Sequence, residues 1–401
     1  MELELLGPDD TPAVLEAIAT AFLADLDAEE AALDAKVIEP ERTLVAREAG
    51  RIVSCATALP RELTVPGGIV PVAAISLVGV APGYRRRGLL SAMMRRQLAD
   101  VRGAGEPVAA LWASEATIYG RFGYGSATRQ ALLEVRTREA RLRPELERVA
   151  GTPEIMLAAD AKRRLAPIHD AARRQRPGML DRSDAWWDLC VHDPERERDG
   201  ASRLRAAVLD DAGYVLYAFK EEWGESGVDG ELRLRELVAT SPSATAALWA
   251  FVLELDLVRR AKWELAPSDE PLPHMLDNQR AVSTRIRDAL WVRLVDLPRA
   301  LRERAYSAPF DVVLDVADEV CPWNAGRYRL SWDGERVECE AVNGDADVEL
   351  TAAELGAAYL GGTTLASLAR AGRVRERTPG ALRAASVAFR GAVEPWCPET
   401  F

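Results

Sequence analysis

The sequence has little lysine and no long apolar run. Four of its 51 basic residues are lysines: Lys36, Lys162, Lys220 and Lys262. No apolar stretch reaches the roughly 18 residues that a membrane-spanning helix needs. The acidic N-terminus, MELELLGPDD, lacks the basic-then-apolar order of a secretory signal. The missing apolar run and signal pattern predict a cytoplasmic protein without a membrane span.

Cysteine and histidine are too few and too scattered for a metal centre or a disulfide framework. The five cysteines show no C-x-x-C spacing and the three histidines no H-E-x-x-H spacing. Cys190 and His192 are the nearest such pair, and two ligands do not make a structural zinc site. We therefore expect reduced thiols and no metal.

Other function classes lose support from charge and motif content. A net charge of −12 argues against non-specific nucleic-acid binding, which needs a basic face, and favours attraction of cationic small molecules. Neither a G-x-x-x-x-G-K-[ST] loop nor a G-x-G-x-x-G loop occurs, so nucleotide-binding interpretations lack their usual motif. With 48% hydrophobic residues in 401, the chain can bury the cores of two or three domains.

The most informative stretch is 75–101. Residues 75–80, ISLVGV, form a short apolar run rich in branched side chains, which predicts a buried strand. Pro82 and Gly83 end that strand. After three arginines and Gly88, apolar residues recur at helical spacing from Leu89 to Val101. The predicted order is strand, basic glycine-containing turn, helix.

This order suits binding of a phosphate group. The first backbone N–H groups of a helix, here those of residues 89–91, lack internal partners and carry the positive end of the helix dipole. Gly88 has no Cβ and allows a ligand to approach the backbone closely. Arg86 and Arg87 can add charge-assisted hydrogen bonds to phosphate oxygens.

The turn and a second segment together resemble a known enzyme family. The pattern V-x-V-x-P-x-x-R-R-x-G-x-L resembles the acetyl-CoA pyrophosphate loop of the GNAT N-acetyltransferases, with Leu90 where the usual pattern ends in glycine or alanine. Residues 114–125, SEATIYGRFGYG, resemble a segment of the Eis (enhanced intracellular survival) acetyltransferases. The chain length, residues 270–274 (EPLPH) and the final Phe401 fit that family too.

The resemblance covers the whole chain and implies an α+β fold class with three domains. Residues 1–150 would form a GNAT acetyltransferase domain with the acetyl-CoA site. Residues 151–295 would form a second GNAT-like domain without the acetyl-CoA loop, serving as structural support or completing a substrate cleft. Residues 296–401 would form a sterol-carrier-like domain. The resemblance also implies a homo-oligomer, specifically a hexamer.

The resemblance also assigns roles to residues. Tyr119 would be the general acid, since tyrosine keeps its proton at neutral pH. The α-carboxylate of Phe401 would receive the amine proton, although Thr400 precedes it where the family often has an acid. The acetyl-CoA site would comprise Val78, Gly79, Val80, Arg86, Arg87, Gly88, Leu89, Leu90, Ser91, Ser114 and Glu115.

The acceptor is the least determined part of the hypothesis. Phe22, Asp25 and Glu399 are the predicted substrate contacts, and a primary amine on a cationic molecule such as an aminoglycoside or polyamine is the expected acceptor. Transfer would be direct, because no cysteine or serine paired with a histidine is evident. Two alternatives remain open: a protein-lysine acetyltransferase, and a lipid-binding or scaffold protein acting through its C-terminal domain.

Overall fold

The computed structural model describes residues 2–224 and 227–401. The chain forms two compact units. The first contains residues up to Thr128, Ala289–Pro395 and Thr400–Phe401, and the second contains Arg129–Asp288 and Trp396–Glu399. Each unit is therefore assembled from segments that are far apart in sequence.

Strands are numbered in chain order. The first six are β1 (Leu3–Leu5), β2 (Thr43–Glu48), β3 (Arg51–Val65), β4 (Gly68–Val80), β5 (Val108–Trp112) and β6 (Gly125–Ser126). The next nine are β7 (Arg129–Arg136), β8 (Glu154–Leu157), β9 (Arg205–Leu209), β10 (Gly213–Lys220), β11 (Trp223–Gly224), β12 (Gly227–Val228), β13 (Gly230–Ala239), β14 (Val258–Pro267) and β15 (Val282–Asp288). The last six are β16 (Leu290–Leu294), β17 (Phe310–Ala317), β18 (Gly326–Trp332), β19 (Val337–Ala341), β20 (Val348–Thr351) and β21 (Arg375–Glu376).

Helices are numbered in the same way. The first six are α1 (Thr11–Phe22), α2 (Ala28–Asp34), α3 (Leu89–Gly103), α4 (Ala116–Tyr119), α5 (Ala158–Arg173) and α6 (Asp184–Val191). The other six are α7 (Pro242–Glu254), α8 (Leu272–Met275), α9 (Leu297–Arg302), α10 (Ala352–Ala358), α11 (Leu365–Arg370) and α12 (Ala381–Phe389). Within the described residues, no helix combines the length and apolar character needed to cross a membrane.

The first unit is built on a seven-stranded sheet in the order β1-β2-β3-β4-β5-β16-β6. Strands β4 and β5 run parallel, as the α3 crossover between them requires. Met94 and Leu98 of α3 pack with Ile75 in one apolar cluster, while Val14 and Leu15 of α1 belong to another. The predicted strand and helix around residues 75–101 are confirmed: β4 ends at Val80 and α3 begins at Leu89.

The same unit contains a five-stranded sheet in the order β19-β18-β17-β20-β21. The dipeptide Asp333–Gly334 is a typical hairpin-turn sequence, and β18 and β19 pair antiparallel across it. The spacing of Thr351 and Glu354 is that of a helix N-terminus, and the two residues form a capping box at α10. Both signals depend on a few adjacent residues, which explains why they could be read locally.

Helix α10 lies directly against the first sheet. A Cβ at Gly125 would collide with the backbone of Ala353 and Ala357, and one at Gly356 would collide with the carbonyl of Val292. Glycine at these two positions therefore permits backbone-to-backbone contact of α10 with β6 and β16.

The second unit has its own seven-stranded sheet, in the order β15-β7-β14-β13-β10-β9-β8. Strands β13 and β14 are parallel, with α7 as the crossover between them. Trp187, Trp249 and Trp263 are buried in its core. Strand β7 pairs with β14 and β15, so it belongs to this sheet. Strand β16, which follows β15 in the chain, belongs to the first sheet and pairs with β5.

A buried carboxyl in the second unit makes stability depend on pH. Glu270 accepts hydrogen bonds from the Trp249 indole (2.8 Å) and the Leu272 amide (3.2 Å), and burial raises its pKa from 4.5 to about 7. Between those pH values the folded protein holds a proton that the unfolded chain releases, so stability falls as pH rises, by about 3 kcal/mol in all. Between pH 5 and 8, the free energy of unfolding of Glu270→Gln should therefore fall less than that of the unaltered protein. Urea unfolding measures this difference.

The matched control for this prediction is Glu264→Gln, which removes an exposed carboxyl from the same unit. Its pH dependence should follow that of the unaltered protein. Equal pH dependence in Glu270→Gln and the unaltered protein would show that Glu270 does not hold its proton in the folded state.

Candidate active site

The parallel strands β4 and β5 separate part-way along their length. They pair over Val72–Ala74 and Val108–Ala110. Beyond that register β4 continues to Val80 and β5 to Trp112. The edge of β4 that faces the gap therefore carries backbone N–H and C=O groups able to pair with an extended ligand.

A bulge in β4 contributes to the separation. Cys55 of β3 pairs with Gly79 and Thr57 pairs with Ser76, so two residues of β4, Leu77 and Val78, stand opposite one of β3. Leu77 adopts a left-handed φ of 50°, and its carbonyl accepts a hydrogen bond from the Cys55 thiol at 3.2 Å. Such a bulge bends the strand and redirects the side chain that follows.

Gly79 brings helix α1 onto the bulged strand. A Cβ at this position would lie 2.6 Å from Cδ1 of Ile18 and 2.9 Å from Cβ of Ala21. Glycine is therefore required for this close packing. The packing places the end of α1, including Phe22, at the gap between the strands.

The turn after β4 is held by its own arginines. Arg85 donates to the carbonyls of Val80 (3.1 Å) and Ala21 (2.7 Å), which fixes the turn to the end of α1. Arg87 donates to the Gly83 carbonyl and stacks over the Tyr84 ring. Arg85 thus has a structural role that the sequence analysis did not assign, while Arg86 and Arg87 remain exposed at the surface.

The start of α3 has the geometry of an anion site. Gly88 adopts a left-handed φ of 83° as the N-cap residue, and no side chain caps the helix. The N–H groups of Leu89, Leu90 and Ser91 therefore open the helix without internal partners. Exposed Arg86 adds positive charge next to them. A phosphate is stabilised by such an arrangement.

A cavity of about 470 Å³ lies at the gap beside β4. It brings together predicted residues from distant parts of the sequence: Phe22, Asp25, Val78, Ser114, Tyr119 and Phe401. Residues that sequence reasoning missed also line it, among them Leu77, Trp112, Asp27, Glu30 and Asp34. The strand pattern marks Leu77 and Trp112 only as core positions, and the acids belong to a short helix that reads as a solvated surface.

Tyr119 is the central polar group of this cavity. It ends helix α4 and is 5% exposed. Burial raises the pKa of Tyr119, hydrogen bonding with Ser114 lowers it in part, and the charge of Glu115 raises it further. The hydroxyl therefore stays protonated at neutral pH and can serve as a proton donor.

Four carboxylates give the cavity a negative wall. Asp25, Asp27, Glu30 and Asp34 line it, and none of its described lining residues is basic. Asp27 also caps α2: its carboxylate accepts hydrogen bonds from the backbone amides of Glu29 and Glu30, at 3.0 and 2.9 Å. A cleft lined by one sign of charge concentrates ligands of the opposite sign.

Glu399, the third predicted substrate contact, is not among the residues lining this cavity. Its carboxylate accepts a hydrogen bond from Arg182 at 2.7 Å. No group of three or more potential metal ligands was found among the described residues.

Comparison with known proteins identifies the domains. Residues 2–127 and 178–294 each match an acetyltransferase (GNAT) domain family, and residues 297–398 match a sterol carrier protein domain family. The α+β fold of two GNAT domains followed by a sterol-carrier domain is thereby confirmed. The GNAT matches also make the protein an acyltransferase.

Individual relatives match along the whole chain. An uncharacterized N-acetyltransferase of Streptomyces avermitilis is 42% identical over 410 residues, covering 100% of this chain and 99% of that protein. The N-acetyltransferase Eis of Mycobacterium tuberculosis is 34% identical over 411 residues, covering 98% of both. The crystal structure of Eis1 from Mycobacterium abscessus superposes with a TM-score of 0.89 at 34% identity, covering 100% of both chains. This chain therefore belongs to the Eis family of GNAT N-acetyltransferases.

Proposed function

We propose that the protein transfers the acetyl group of acetyl-CoA directly to a primary amine of a cationic small molecule, with aminoglycosides and polyamines as the acceptor class. One observation carries this proposal. A protonated tyrosine, Tyr119, and the final residue, Phe401, line the same acid-walled cavity at the separated strands. This arrangement supplies a proton donor, a carboxylate and an attraction for cations in one place.

The residues around β4 and α3 fit the donor. Acetyl-CoA carries an extended pantetheine arm and a pyrophosphate. The backbone of residues 78–80 offers hydrogen bonds to the arm, and an N–H group there can stabilise the carbonyl oxygen of the thioester as charge develops. The opening amides of α3, with Arg86 and Arg87, would hold the pyrophosphate. Ser114 and Glu115 adjoin Tyr119 on the opposite side of the gap.

The chemistry needs two proton movements. The amine nitrogen attacks the thioester carbonyl, a C–N bond forms and the C–S bond breaks. The α-carboxylate of Phe401 receives the proton that the amine loses, through positioning or a bridging water, since a carboxylate with an ordinary pKa near 3.5 is a weak base. Tyr119 gives its proton to the departing thiolate.

Four of the five thiols of the chain support transfer without an acetyl-enzyme. Burial raises the pKa of Cys55, Cys190 and Cys339 to about 12 and raises that of Cys321 as well. The thiolate is the nucleophilic form of cysteine. These groups are therefore poor nucleophiles, and the free amine of the acceptor is the competent one.

Release of free CoA from acetyl-CoA tests the acceptor class. The panel should contain an aminoglycoside, a polyamine, a neutral primary amine of similar size and a lysine-rich protein. We expect turnover with the aminoglycoside and the polyamine, because the acidic wall of the cavity attracts cations. Their kcat/KM should fall as salt is added, because salt screens this attraction. Turnover with the lysine-rich protein alone would replace this acceptor class with protein lysine.

Assembly is a separate expectation. The homohexamer implied by the family stays a prediction, and sedimentation velocity of the purified protein would test it.

A further inference from the structure

In the second GNAT domain, as in the first, two neighbouring parallel strands stop pairing part-way along their length. Parallel strands β13 and β14 pair as far as Leu234 and Trp263. Beyond that point β13 continues to Ala239 and β14 to Pro267. In the first domain the corresponding pairing ends at Ala74 and Ala110, and the gap beyond it is part of the candidate active site.

The second gap has no anion site at its helix. Ser241 is the N-cap of α7, and its hydroxyl accepts a hydrogen bond from the Ala244 amide at 3.2 Å. Pro242 follows and has no N–H to offer. The helix start is therefore satisfied by its own side chain, unlike the uncapped start of α3 behind Gly88.

The segment Trp396–Glu399 makes its contacts at this second gap. The Trp396 indole N–H donates to the carbonyl of Leu265, which lies on β14 beyond its last pair with β13. That bond is 2.7 Å long, and the Trp396 amide donates to Pro177 at 2.8 Å. The Trp396 ring meets Trp263 edge-on with centroids 5.9 Å apart. Trp396 is 4% exposed and is therefore as buried as the core residues of this unit.

Glu399 is bound by Arg182, which in turn pairs with a residue of the other strand, β13. Arg182 donates to Glu399 at 2.7 Å and, in a bidentate pair, to both oxygens of Glu236 at 3.0 and 3.1 Å. Glu236 lies on β13 beyond its last pair with β14. The side chains of Arg182, Glu236 and Glu399 are only 1%, 2% and 11% exposed. Buried ionic networks with this geometry fix orientation strongly, because leaving any one member unpaired is costly.

We infer that the gap in the second GNAT domain serves as a seat for the chain's own segment 396–399, with Arg182 and Trp396 as positioning residues for the carboxylate of Phe401. The inference rests on the proposed role of Phe401. Only Thr400 separates Glu399 from Phe401 in sequence, and Phe401 lines the first domain's cavity. A free chain end samples many conformations, so a catalytic carboxylate there needs an anchor close by.

Glu399→Gln tests the seat because it weakens the contact to Arg182 while Arg182 keeps Glu236 as its partner. We expect kcat to fall about tenfold or more, since small misplacements of a reacting group are costly. The KM for acetyl-CoA should stay within about twofold, because the donor site is built from other residues. Carboxypeptidase should release phenylalanine from the variant faster than from the unaltered protein. The control is Glu254→Gln, at an exposed carboxyl of the same unit, which should change neither quantity.

A comparison with protein lacking Phe401 separates positioning from general structural support. Glu399→Gln should cause no further loss of kcat in that background, because it acts through Phe401. An equal loss in both backgrounds would overturn the inference. So would an unchanged kcat and unchanged phenylalanine release for Glu399→Gln in a protein whose activity depends on Phe401. If removal of Phe401 alone leaves kcat unchanged, the proposed role of Phe401 fails instead.

Trp396→Phe is a second variant that keeps an aromatic ring but removes the N–H bond to Leu265. It should lower kcat in the same direction and speed the release of phenylalanine. If kcat and the rate of phenylalanine release in Trp396→Phe equal those of the unaltered protein, the inference is wrong.

Discussion

Tyr119→Phe is expected to lower kcat by about 100- to 1000-fold while leaving the KM for acetyl-CoA close to its original value. The change removes one hydroxyl from a side chain that is 5% exposed, so the ring packing stays. Without the hydroxyl the thiolate must leave unprotonated, and general acid catalysis contributes a factor of about this size. Initial rates of CoA release at saturating acceptor measure it.

Tyr124→Phe is the matched control. The Tyr124 ring packs against Tyr119 with centroids 6.2 Å apart, and its buried hydroxyl has no hydrogen-bond partner among the described residues. Its loss should leave kcat within about twofold. Equal kcat in Tyr119→Phe and Tyr124→Phe would remove the acid role from Tyr119.

The same role predicts the alkaline side of the pH profile. An acid works while protonated, so activity is lost as pH rises through its pKa. Because the pKa of Tyr119 is raised above 10, the loss should occur above pH 10 in the unaltered enzyme. In Tyr119→Phe the residual activity should not show this loss at high pH.

Adding two glycines after Phe401 is expected to lower kcat by about 100-fold. The extension keeps the phenylalanine ring but moves the α-carboxylate by up to roughly 7 Å. The amine proton then has no receiving group at the position where Phe401 lines the cavity. Single-turnover rates with a saturating polyamine would isolate this step from product release.

The ring and the carboxylate can be tested separately. Phe401→Leu keeps the carboxylate in place and changes only the side chain, so it should cost no more than a few-fold in kcat. A chain ending in phenylalanine amide keeps the ring without the charge and should behave like the extended protein. Full activity in the extended or amidated protein would show that the carboxylate takes no part.

Several parts of this protein could be predicted from the sequence because their signals are local. The strand ending at Val80, the turn through Gly88 and the helix from Leu89 follow from apolar periodicity and turn residues within about thirty positions. The hairpin at Asp333–Gly334 and the cap formed by Thr351 with Glu354 are equally local. Residues 75–91 and 114–125 were also sufficient to suggest the family.

Only the tertiary structure decided the features that join distant residues. Strand β16 completes the first sheet although it follows the whole second GNAT domain in sequence, and β7 serves the second sheet. Strand partners depend on long-range register and packing, which apolar periodicity does not encode.

The site itself shows the same division. The family resemblance suggests Tyr119 and Phe401 one at a time, but their shared cavity and its wall of four acids exist only in the folded chain. Glu399 was predicted to contact substrate from its place near Phe401, whereas the structure pairs it with Arg182. A buried charge takes the partner that folding brings within hydrogen-bond distance, and sequence proximity does not determine that choice.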